Sequence, residues 1–177
     1  FSGAIYSMEG TPAEGDLVDV YTSQGDFIAR GHYQIGSITI RVLSFADETI
    51  DQSWWNERIE QAYHMREALG LTNNPQTTCY RLVHGEGDSL PGLVIDIYGT
   101  TAVVQCHSVG MYRSRKAICT ALRNVYRDRV KSIFDKSGGT LPYNAGLNAQ
   151  DGYLWGEADA SSEPVLENGN RFMVNWE

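Results

Sequence analysis

Along the first fifty residues apolar and polar positions alternate in short runs, and no helical period is present. Asp16–Tyr21, Asp26–Gly31 and Ser37–Leu43 are the candidate strands, because a two-residue repeat turns alternate side chains to opposite faces. In SITIRVL, residues 37–43, Ile38, Ile40 and Val42 face one way and Thr39, Arg41 and Leu43 the other. SQG at 23–25 supplies a hairpin-type turn with Gly25 at its left-handed position. The pattern predicts a small all-β unit, a compact barrel lacking part of its first strand.

The periodicity changes near residues 45–52, where a junction between units is expected. Trp55, Ile59, Ala62, Tyr63, Arg66 and Leu69 then recur at helical spacing, with Ser53 as N-cap and Gly70 as the stop. TNNPQTT, residues 72–78, reads as a loop. Gly92–Tyr98 and Thr101–Cys106 read as neighbouring strands joined at Gly99–Thr100. Ser108 caps a second helix over about 109–127, with the apolar stripe Met111, Ile118, Ala121, Leu122 and Val125. Val130–Phe134 is a further strand. Strand, strand, helix, strand makes an α+β unit. Residues 137–152 form a long Gly- and Asn-rich loop with Leu141, Tyr143 and Leu147 spaced through it. Short strands follow at Tyr153–Trp155, Pro164–Leu166 and Arg171–Trp176, with ENG at 167–169 as a hairpin turn.

Composition fits a folded chain. Of 177 residues 42% are hydrophobic, and no run reaches the roughly 20 apolar residues of a membrane span, so no membrane partner is expected. Cys79, Cys106 and Cys119 form an odd, unpatterned set, which favours a reduced, cytoplasmic protein with buried thiols. The chain opens at Phe1 and closes soon after the strand-like FMVNW, and reads as part of something longer.

Net charge is −8, which by itself argues against nucleic acid. The distribution changes that picture. Arg113, Arg115, Lys116, Arg123, Arg127, Arg129 and Lys131 lie in one stretch with Asp128 as the sole acid, a local +6 that leaves −14 elsewhere. At 100° per residue, Arg113, Lys116, Arg123 and Arg127 gather opposite the apolar stripe. Such a face is either a solvated helix surface or a site for RNA phosphates, extended by Arg129 and Lys131. Trp54, Trp55 and Tyr63 either stack on bases or anchor their helix on a sheet, and Tyr112 and Tyr126 lie near the basic face.

The segment YRLVHGEGDSLPGLVIDIYG, residues 80–99, concentrates polar groups. His84, Glu86 and Asp88 could present metal ligands from an extended loop, or His84 and Glu86 an acid–base pair, but no spacing here is diagnostic. Its glycines lead through Leu90–Pro91–Gly92 into a strand, not into a helix N-terminus, which is the wrong context for phosphate cradling. The structural reading is a built turn feeding the core strand, with Arg81 available to Glu86, Asp88 or Asp96. Arg81, His84, Glu86 and Asp88 are the candidate loop facing substrate or another domain. His107–Ser108 lacks a nucleophile elbow, and Ser108 serves better as a cap. No dinucleotide, Walker or metalloprotease motif occurs, so no catalytic, cofactor-binding or metal residue is assigned.

FSGAI, EGDLVDVYTSQGDFIARGHY and SITIRVLSF resemble the N-terminal PUA domain of the class I S-adenosylmethionine-dependent large-subunit rRNA methyltransferases, which methylate cytosine C5 in 23S rRNA. YRLVHGEGDSLPGLVIDIYG resembles that family's middle-domain segment, and VVQCHSVGM and VLENGNRFMVNWE are similar as well. The resemblance implies a mixed fold: a PUA-like β domain over 1–50, an α+β middle domain over 51–165, and the start of a methyltransferase domain at 166–177. It also implies that S-adenosylmethionine and the catalytic cysteine belong to that further C-terminal domain. None of the three cysteines here sits in the family's proline–cysteine context. The expected role is RNA recognition and positioning, without catalysis by this stretch alone, with 23S rRNA and the further domain as partners and a homodimer open. The alternative is a structural or protein-interaction module that packs on the methyltransferase domain. A stand-alone hydrolase using His84 or His107 is a third reading.

Overall fold

A computed structural model of the chain describes residues 1–142, 146–157 and 162–177. The first fifty residues form an antiparallel meander of β1 (Leu17–Tyr21), β2 (Phe27–Tyr33) and β3 (Ile40–Ser44). The hairpin turn at 23–25 is present, with Gly25 at φ 92°. The expected barrel is an open three-stranded sheet in order β1-β2-β3 among the described residues. Its polar-looking face is the one turned inward. Thr39 and Leu43 are buried while Ile38 is 39% exposed. The reason is the neighbour: Leu43 joins the main core, and Arg41 reaches Glu86 of the second unit at 3.1 Å.

The second unit is a five-stranded sheet in order β4-β5-β6-β7-β8, with β4 Cys79–His84, β5 Leu93–Tyr98, β6 Thr101–Cys106, β7 Ser132–Asp135 and β8 Gly152–Trp155. Helices α1 (Gln52–Ala68) and α2 (Val109–Tyr126) cover one face. All pairings are antiparallel except β6 with β7, which are parallel because α2 crosses between them. In register, Leu93, Ile95 and Ile97 of β5 stand beside Cys106, Val104 and Ala102 of β6 on the helix-covered face. The opposite face holds Val103 and Phe134, covered by Trp176 from the end of the chain.

Strand β4 was not expected from the sequence; its CYRLVH carries too many polar positions to alternate. The N-cap of α1 is Asp51, whose side chain accepts from the Trp54 N–H at 3.0 Å, in place of the expected Ser53. Asp51 has the extended backbone that a cap requires, whereas Ser53 already lies inside the helix. Ser108 caps α2 as expected, accepting from Met111 N–H at 3.3 Å. Leu69 is 65% exposed, since it follows the last turn of α1, where Gly70 at φ 70° ends the run. Tyr143 lies outside the described residues. Around it, the loop is clamped by the Gly138 N–H on Asp151 Oδ1 at 2.7 Å.

A third sheet is the hairpin β9 (Ser162–Glu167) and β10 (Asn170–Asn175), turning at Asn168 and Gly169, both at positive φ. The expected division between residues 165 and 166 falls inside β9. The hairpin is tied to the second unit where Thr78 N–H donates to Leu166 O at 2.8 Å and Leu166 N–H to Thr78 Oγ1 at 2.9 Å.

The two units meet at glycines. A Cβ at Gly110 would overlap the His32 ring, and one at Gly15 would stand 2.9 Å from Val109 Cγ1. His32 is thus pressed on the first turn of α2, 4% exposed, with Nδ1 lacking a partner. Burial pushes its pKa down to about 4. The unfolded chain titrates near the ordinary value, so it binds the proton first as pH falls. Stability is therefore complete above about pH 6.5 and declines toward pH 4, by an amount on the order of 3 kcal/mol. Thermal melts of His32→Gln between pH 7 and pH 4 should show a shallower decline than the unsubstituted chain; equal slopes would contradict the assignment.

Candidate nucleic-acid interface

The turn between β4 and β5 is a short 3-10 segment, Gly85–Asp88, closed by Ser89 in the left-handed region. Each acid around it is taken by a different arginine. Arg66 from α1 binds Asp88 through two nitrogens, one at 2.8 Å, and the His84 N–H adds a bond at 2.6 Å. Arg41 from β3 binds Glu86. Arg81 binds Asp96 across the β4–β5 pair through two bonds of 2.8 and 3.0 Å. Of the three acids open to Arg81, the cross-strand one won, because Arg81 and Asp96 are register partners on one face. Burial works against ionisation of Asp88, but Arg66 and the His84 amide outweigh it and hold the carboxyl below the usual range. His84, Glu86 and Asp88 therefore do not converge, and no group of three metal-binding side chains is present among the described residues.

His84 and His107 line one cleft of about 310 Å³ with Arg41, Glu86 and Gly92. Ser108 is 2% exposed and its hydroxyl caps α2, so the cleft lacks the nucleophile that the hydrolase reading needs. Burial raises the thiols of Cys79 and Cys119, and takes that of Cys106 to about 12, far from a reactive thiolate. The described residues also do not fit an adenosylmethionine cradle. In the β6–α2–β7 crossover the helix N-terminus is where a nucleotide would sit, and His32, Gly15 and Gly92 crowd that turn.

Arg113, Lys116, Arg123, Arg127, Arg129 and Lys131 are exposed and Arg115 is half-buried, and they are not equivalent. Arg113 pairs with Asp16 of the first unit at 2.8 Å. Arg123 lies over the Trp155 ring at 4.8 Å. Arg129 lies over Tyr63 and Tyr126, donates to the Tyr63 hydroxyl, and donates to the Val125 and Tyr126 carbonyls. Arg115 pairs with the buried Asp135 and covers Tyr112. Among the described residues Lys116, Arg127 and Lys131 have no ion pair. Trp54, Trp55, Tyr63 and Tyr126 are buried and cannot present faces to bases; they anchor the two helices. Sequence reasoning missed Asn56, Asn124 and His64, which line an open groove of about 550 Å³ between α1 and α2 with Arg127 and Arg129. No local signal marks them, since the groove exists only when the helices pack.

The chain is acidic overall, and Lys116, Arg127 and Lys131, without ion pairs among the described residues, lie on the outer face of α2 and just beyond it, while the small sheet docks at the N-terminal turn of that helix. Several known proteins are similar to this chain. The sequence profile of the PUA-like domain matches residues 1–45. Over 99% of its length the chain is 36% identical to ribosomal RNA large subunit methyltransferase I of Erwinia tasmaniensis, 35% to that of Shigella flexneri and 34% to that of Escherichia coli K12. It spans 44% of the length of each of these relatives. A proposed SAM-dependent methyltransferase from Streptococcus mutans shares the fold, with TM-score 0.76, 20% identity and coverage of 94% of this chain and 41% of that one. A proposed methyltransferase complexed with SAH matches with TM-score 0.75 at 20% identity, over 93% of this chain and 40% of its own.

The Arg66–Asp88 pair carries the geometry of the turn. Asp88→Asn removes the charge and should cost on the order of 2 kcal/mol in urea unfolding, whereas the exposed His64→Ala should cost less than about 0.5 kcal/mol.

Proposed function

We propose that this chain is the RNA-recognition and positioning region of an rRNA large-subunit methyltransferase. The observation that carries the reading is similarity over 99% of the chain to rRNA large subunit methyltransferases. The unpaired Lys116, Arg127 and Lys131 supply a physical means of contact. Lys116 on α2 and Arg127 just past its end are eleven residues apart, roughly 16 Å along the helix axis, far enough to meet separate, non-adjacent phosphates of one strand. The first unit, expected as a PUA-like domain over 1–50, docks on α2 through Asp16–Arg113. In this reading the second unit over 51–165 carries the basic contacts, and base chemistry at cytosine C5 of 23S rRNA takes place in the remaining length of the relatives. S-adenosylmethionine would bind there as well, and this stretch alone would be inert. The reading places the protein in the cytoplasm; no helix of the described residues is long and apolar enough to cross a membrane.

One observation favours the alternative of a packing module. On β10, Phe172 is 48% and Met173 66% exposed on opposite faces of the hairpin, apolar groups that another domain or a second copy of the chain would cover.

Lys116→Glu with Lys131→Glu should weaken binding of a 23S-derived RNA hairpin. It should also lower the slope of log K against log salt by about 0.7–0.9 for each phosphate that is no longer neutralised. An unchanged salt slope would leave the packing module as the better account.

A further inference from the structure

We propose that the groove between α1 and α2 receives an unpaired RNA nucleotide, with Arg127 as the residue that meets its phosphate; the inference rests on the RNA-recognition reading above and names its subsite.

Arg127 provides the first observation. Its φ is 52° and its ψ −124°, the angles of the first central position of a type II′ turn, where glycine dominates because a Cβ is unfavourable. An arginine there is strained, although the turn ends α2 and the Arg127 N–H still donates to Arg123 O. Its side chain is exposed and makes no ion pair among the described residues, yet it lines the groove. The end of the helix accounts for the backbone; what the fold leaves unused is the exposed guanidinium on the groove lining.

The groove floor provides the second. Asn56 Oδ1 accepts from Gln52 Nε2 at 3.0 Å and from Asn124 Nδ2 at 3.2 Å. Those bonds orient both amides. They leave the Asn56 amide donor and the Asn124 carbonyl acceptor without a partner among the described residues, and both residues line the groove. A donor beside an acceptor matches the edge of a nucleobase, and such edges are free only in unpaired RNA. Arg129, fixed over Tyr63 with its centre 4.6 Å from the ring and still exposed, offers a guanidinium plane for stacking.

The acids on the lining decide between ligand classes. Glu60 and Asp128 are present and would repel a bare phosphate or an acidic peptide. A single nucleotide suits this mixed lining better, because its uncharged base can meet the amides and its one phosphate can meet Arg127. A volume of about 550 Å³ is in the range that accepts a small ligand of this size.

The test uses the 177-residue chain, an RNA hairpin with an unpaired loop, and a blunt RNA duplex of equal length. Arg127→Gly relieves the strain and removes the charge. It should raise Tm, weaken hairpin binding roughly tenfold and weaken duplex binding less. Arg127→Asn, which also tolerates positive φ, should show the same loss and serves if the glycine variant folds poorly. Failure of the unsubstituted chain to bind either RNA would overturn the RNA reading and this subsite together. Unsubstituted binding that neither variant changes would overturn the subsite alone. Equal losses on hairpin and duplex would reduce Arg127 to a surface charge, and competition by a poly-glutamate peptide as strong as by the hairpin would also overturn the proposal.

Discussion

One buried face holds the molecule together. Leu93, Ile95 and Ile97 of β5 and Ala102, Val104 and Cys106 of β6 form an apolar surface that water must leave, and only two helices laid side by side can cover it. That requirement sets the direction of every other side chain. With Met111, Ile118 and Leu122 of α2 turned to the sheet, the arginines and lysines between them have to point outward. With Trp54, Trp55 and Ile59 of α1 also turned in, the polar edges of the two helices face each other and leave the groove lined by Asn56 and Asn124.

Charge is arranged around the same core in two ways. Around the β4–β5 turn Arg66 and Arg41 tie α1 and β3 to one short loop, and Arg81 ties β4 to Asp96 of β5. Two of these pairs cost little to hold because they stay partly solvated; the Arg66–Asp88 pair is nearly enclosed, and removing either partner would strand a charge. Along the outer face of α2 and just past its end the matching thins. Among the described residues Arg123 and Arg129 rest on aromatic rings, and Lys116, Arg127 and Lys131 have no acid, in a chain with an excess of acids to offer. The separation of matched from unmatched cations is the structural feature on which the proposed RNA contact rests.

The two units are joined by close approach rather than by area alone. Gly110 lets the His32 ring of β2 press on the first turn of α2, and Gly15, just before β1, closes on Val109. An uncharged imidazole is needed there, so the joint is sensitive to acid. The same contact occupies the helix turn where a βαβ crossover would otherwise accept a nucleotide, which directs any RNA contact to the other end of α2.

Much of this architecture was legible in the chain itself. Alternation located β1, β2 and β3, helical spacing located α1 and α2, and Ser108, Gly25, Gly70 and ENG at 167–169 marked their ends, because caps and positive-φ turns depend on local chemistry. Strand β4 was hidden, since its polar residues are satisfied by Asp96 and by pairing with β5, which lie elsewhere in sequence. The basic face of α2 was also visible as a pattern. Which of its cations remain free was not, because Asp16, Trp155 and Tyr63 reach Arg113, Arg123 and Arg129 only after folding. The sequence by itself determined the elements and the charge segregation, through interactions a few residues long. Only tertiary structure decided the inward face of β3, the three-way division of the acids and the groove between α1 and α2, because each depends on groups that the chain brings together from far apart.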